Sequence, residues 1–95
     1  MTATELKQWA KEKWPEATEK DGQFSVGDKL KLVVETKAPG WIDVQVDENL
    51  RKVLLEEYES VSESEVFGRD GARVLLTGQI DDGEIKSLVI QSFGI

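Results

Sequence analysis

The side chains with the most chemical reach in this sequence are its carboxylates. Nineteen acidic residues stand against twelve basic ones, and the excess is concentrated in one half of the chain. Residues 1–37 balance, with seven acids and seven lysines; residues 38–95 carry the whole net charge of −7. Paired carboxylates can act as general acid and base when their environments split their pKa values. The two candidate clusters are Asp43 with Asp47, and Asp81 and Asp82 with Glu84. Both fall where alternation or turn chemistry predicts solvent, with no partner to orient them, so no acid–base role is expected of them. A calcium loop needs six to eight oxygens spread over about twelve residues, which a tight turn at Asp82-Gly83 could not wrap around an ion.

The other catalytic chemistries lack their parts. There is no histidine and no cysteine, which removes imidazole acid–base work, thiolate nucleophiles, disulfides and the sulfur or imidazole zinc sites. The six serines have no base at motif spacing. The segment Gly22-Gln23-Phe24-Ser25-Val26-Gly27 carries two glycines but not the third glycine or the Lys-Ser/Thr of a phosphate cradle. The expectation is a protein without catalysis, metal or cofactor.

What remains is charge and apolar surface. From Asp43 to Glu65 the sequence holds eight acids and two bases, and Glu56, Glu57, Glu59, Glu63 and Glu65 succeed one another with no base between them. Such a field repels phosphate and attracts basic surfaces. The sequence therefore predicts a protein-binding module of the small inhibitor, immunity or adaptor kind, docking a basic protein. Its contact residues would be Asp43, Asp47, Glu48, Glu56, Glu57, Glu59, Glu63 and Glu65 for charge, with Tyr58 and Phe67 as apolar anchors. The competing reading is a single-strand nucleic-acid domain of the OB kind. It would use Lys29, Lys31, Lys37 and Trp41, which alternation places on one side of a hairpin. Interleaved acids weaken that basic face, so nucleic acid is the lesser expectation.

The elements that must position these residues can be read from periodicity. Leu6, Trp9 and Ala10 recur at helical spacing between Thr4 and Lys13, with Thr2 or Thr4 available as cap and Pro15 ending the run. Asp28–Lys37 and Trp41–Asp47 alternate around Ala38-Pro39-Gly40, predicting a hairpin in which Lys37 pairs with Trp41 and Leu32 with Val46. Asp47 is placed to cap a helix over Glu48–Glu59 whose stripe is Leu50, Val53, Leu54 and Tyr58. Val61–Phe67 has room for a short strand, and Asp70-Gly71 reads as a turn. Asp82-Gly83 reads as a type I′ turn joining a strand over Ala72–Ile80 to one starting at Ile85.

The expected fold is α+β: a twisted antiparallel sheet of two hairpins with two helices in the order α-β-β-α-(β)-β-β, one domain spanning 1–95. The alternative is a small OB-like Greek-key barrel with an N-terminal helix. In the C-terminal hairpin both faces are apolar. Val33, Leu75, Leu88 and Ile90 would then form a second face, open to a homodimer partner unless a helix covers it. No apolar run reaches the length of a membrane span and no signal sequence is evident, so a soluble cytoplasmic protein is expected.

Overall fold

A computed structural model describes residues 1–95 as three helices and six strands. Helix α1 (Ala3–Lys13) starts at Thr2, whose hydroxyl accepts the Glu5 N–H while the Glu5 carboxylate accepts the Thr2 N–H, a reciprocal capping box. Strands β1 (Thr18–Lys20) and β2 (Gln23–Val26) form a hairpin across Asp21-Gly22, both at positive φ. Strands β3 (Lys29–Glu35) and β4 (Trp41–Gln45) form the next. Helix α2 (Glu48–Glu57) is capped by Asp47, whose carboxylate accepts the Leu50 N–H, as its position ahead of the apolar stripe predicts. Strands β5 (Val61–Ser64) and β6 (Gly68–Leu75) and helix α3 (Asp82–Gly94) complete the chain.

The strands make one antiparallel sheet in the order β1-β2-β3-β4-β6-β5. Period-two alternation sends Phe24, Leu32, Val34, Ile42, Val44, Ala72 and Val74 to one face. All three helices cover that face, contributing Leu6 and Ala10 from α1, Leu54 from α2, and Ile85, Leu88 and Val89 from α3. Trp14 stacks on Phe93 at 3.8 Å and meets Trp9 edge to face, which locks α1 against α3. No helix is long and apolar enough to cross a membrane.

The α+β class stands, with five changes of detail. The hairpin β1–β2 adds two strands where none is expected. The sheet is open, with β1 and β5 as free edges, so the barrel alternative falls. The hairpin β3–β4 has five connecting residues, and Glu35 rather than Lys37 pairs with Trp41, Leu32 with Val44. That two-residue slip leaves every side chain on its expected face, because the pleat repeats every two residues. Asp70-Gly71 lies inside β6 rather than at a turn; the reversal comes earlier, where Phe67 packs over the missing side chain of Gly71. The largest correction is at the C-terminus. Asp82-Gly83 opens α3 instead of turning a hairpin, and the Asp81 carboxylate accepts the Glu84 N–H. Ile85, Leu88, Val89 and Ser92 are buried at the i, i+3, i+4, i+7 positions of one helical face. Strand alternation cannot bury that set together.

Candidate functional site

The uncovered sheet face is the expected home of both an acidic contact, Asp43, and a basic aromatic patch. Its central row runs Val33, Asp43, Arg73 across β3, β4 and β6. Asp43 is 0% exposed, and Arg73 grips it with two bonds: Nε to Oδ1 at 2.9 Å and a terminal guanidinium nitrogen to Oδ2 at 3.1 Å. The same guanidinium lies 3.6 Å from the Trp41 ring centroid. A bidentate pair roofed over an aromatic face satisfies a carboxylate that would otherwise be costly to bury. The bond to Asp43 holds Arg73 still more firmly protonated than usual. Asp43 is therefore a structural ion, contrary to its expected place on the docking strip.

The basic patch is spent as well. Lys31 is buried rather than exposed, its Nζ donating to the main-chain oxygen of Ile95 at 2.6 Å. Trp41 has Arg73 on its ring, so it offers less surface for a base to stack on. Lys29 and Lys37 stay exposed at opposite ends of the β3 region. Beside Lys31, Ser92 of α3 closes the end of the β3–β4 ladder. Its hydroxyl accepts the Gln45 N–H at 2.8 Å and donates to the Lys31 carbonyl, satisfying two main-chain groups the strands do not satisfy in each other.

The remaining acidic residues separate into three sets. Asp47 caps α2, Glu48 pairs with Lys52 one turn on, and Glu63 pairs with Arg51 at 3.2 Å. Arg51 also donates to the Gly71 carbonyl, so it is fixed there. Glu65 acts electrostatically on Arg73, and Phe67 packs at Gly71, both away from the end of α2. Glu56, Glu57 and Glu59 are exposed and have no cation within 4 Å. Tyr58 stands among them.

Across from Tyr58 stands α3, the segment that turn chemistry at Asp82-Gly83 would make a strand. Leu50, Val53, Leu54 and Glu57 of α2, with Tyr58 at its C-cap, face Glu84, Ser87, Leu88 and Gln91 of α3 across a groove of about 250 Å³. Its floor is aliphatic, its rim carries Glu57 and Glu84, and no Lys or Arg lines it. The Tyr58 hydroxyl points to the Glu84 carboxylate at 3.5 Å. The charge of Glu84, then burial, then the charge of Glu57 push the Tyr58 phenol up from its usual value, with Asp81 adding to the effect. Carboxylates from two helices thus converge on one tyrosine.

Glu84, Ser87, Leu88 and Gln91 are the residues of this groove that the sequence does not bring together under a strand assignment. The signal is present: an Asp with a Glu three residues later, then apolar residues at 85, 88 and 89, is a helix start. The expected second apolar face does not exist as a unit. Val33 and Leu75 lie on the open sheet face, Leu88 is in the core, and Ile90 is exposed on α3.

The fold has counterparts. A structural-genomics crystal structure of a protein from Pseudomonas syringae superposes with a TM-score of 0.79 at 21% identity, over 99% of this chain and 97% of that one. A solution NMR structure from the same organism and target gives a TM-score of 0.72 at 21% identity, over 99% and 91%. That likeness establishes the arrangement of helices and sheet. No family model and no curated protein matches the chain.

Proposed function

We propose that this chain is a non-catalytic, cytoplasmic protein-binding module that presents the acidic end of α2 to a basic partner protein. Glu56, Glu57 and Glu59, free of internal cations and joined across the groove by Glu84, carry the reading. Like charge at a helix C-terminus opposes the helix dipole and costs a few tenths of a kcal/mol per residue, to order of magnitude. Nothing in the core requires these side chains, since all three are exposed. Their use is in the field they project, which speeds encounter with a cationic surface and rejects anionic ones.

The contact set is narrower than the linear acidic stretch. Glu56, Glu57, Tyr58 and Glu59 form its centre, and Glu84 and Asp81 join it. The experiment is charge reversal of Glu56, Glu57 and Glu59 to Lys together, then capture of basic proteins at low and high salt. Capture by the native chain should fall with added salt, and the variant should lose it at low salt with its thermal midpoint little changed. Undiminished capture by the reversed variant at low salt overturns the reading.

A further inference from the structure

We propose that the groove between α2 and α3 seats one large apolar side chain from a partner segment whose neighbouring residues are Lys or Arg, the cations lying against Glu57 and Glu84. This rests on the acidic-docking reading above and gives it a location. The first observation is an incompletely used stripe. Of the apolar residues of α2 and its C-cap, Leu54 is in the core, Leu50, Leu55 and Tyr58 are half-buried, and Val53 is 45% exposed although it sits beside Leu50 and Leu54 on the same helical face. Leu88 closes the groove from the α3 side. An aliphatic floor left open in this way gains about 25 cal/mol for each Å² of apolar surface it removes from water.

Size and charge identify the occupant. At about 250 Å³ and open to solvent, the groove is smaller than the roughly 300–1,000 Å³ that encloses a small-molecule ligand. It suits a side chain projecting from a larger surface. The nearby cations are committed elsewhere: Arg51 to Gly71 and Glu63, Lys52 to Glu48, and Lys86 over the Trp9 ring. A second copy of this chain would bring another −7 of charge, and nucleic acid would bring phosphate, so both are repelled. No three acidic side chains are grouped to hold a metal ion. An apolar anchor bracketed by cations satisfies both floor and rim.

The test pans a phage-displayed library of random short peptides against the immobilised full chain at low ionic strength. Enriched peptides should share one large apolar residue with Lys or Arg on both sides, and a synthetic copy should shift the NMR signals of Val53, Tyr58, Ser87 and Leu88. Two variants divide the causes. Glu57→Lys should weaken the peptide. Val53→Asp should also weaken it, by about tenfold or more, even though it adds negative charge. If basic peptides are enriched without an apolar anchor, or bind Val53→Asp as well as or better than the native chain, the groove proposal is overturned and the acidic-docking reading stands. Enrichment of only neutral or acidic peptides, or of none, overturns both.

Discussion

Two Asp-Gly pairs in this chain have nearly the same local chemistry and opposite outcomes. Asp21-Gly22 turns a two-residue hairpin between β1 and β2, with φ of 52° and 85°. Asp82-Gly83 begins a thirteen-residue helix. The dipeptide only permits positive φ; the residues C-terminal to it decide whether the permission is used. After Gly22 the residues Gln23–Val26 alternate and pair with β3. After Gly83 the apolar residues come at helical spacing, and Asp81 and Glu84 supply the cap. Turn chemistry is therefore weaker evidence than the period of the residues behind it.

The sharpest way to separate the two is to add a methyl group at each glycine. At Gly22 a Cβ would stand 2.2 Å from the Val34 carbonyl oxygen, at a φ that already disfavours side chains. Gly22→Ala should cost about 3 kcal/mol or more in urea unfolding, combining the left-handed penalty with a main-chain clash. A loss under about 1 kcal/mol there would mean the turn is not built as described. Next in size is Asp81→Ala, which removes the α3 cap and should cost about 1–2 kcal/mol with reduced helical circular dichroism. A hairpin at Asp82-Gly83 would not respond in that way.

Smaller effects refine the contrast. Glu19 accepts the Gly22 N–H at 2.9 Å, and that bond, with Lys7 and Lys11 nearby, holds its carboxyl below the usual glutamate range against the opposing pull of burial. Because the folded pKa is depressed, Glu19 contributes stability above its unfolded pKa and loses it as pH falls through the folded one. Glu19→Gln should cost under about 1 kcal/mol near neutrality, since the amide oxygen still accepts a bond, and should flatten the acid limb of the stability profile. Gly83→Ala should have the least effect, a change of about 0.5 kcal/mol or less. The gain in helix propensity is offset by a 3.2 Å approach to Asp81 Oδ1. A penalty at Gly83 as large as that at Gly22 would contradict the helix.

Much of the scaffold is legible in the residues. Alternation marks β3 and β4 and the correct face for each side chain, and the caps at Thr2 and Asp47 mark two helices. The site is harder to see because its two walls are distant in sequence. Leu50, Val53 and Tyr58 are readable as a helical stripe, yet whether that stripe is buried depends on how closely α3 approaches. Asp43 shows the same limit from the other side. On a strand facing away from the helices, a lone Asp reads as solvated, and only its register opposite Arg73 turns it into a buried ion.

The order of residues by itself determined that this chain folds as α+β, that its charge excess lies beyond residue 37, and that imidazole and thiol chemistry are absent. These are consequences of side-chain type and short-range period, which need no knowledge of the distant chain. Tertiary structure decided which carboxylates are neutralised and which are left without a cation. Apart from the one-turn pair Glu48–Lys52, pairing depends on angstrom-scale distances between residues on different elements, twelve positions apart for Arg51 and Glu63 and thirty for Asp43 and Arg73, and only packing fixes those distances.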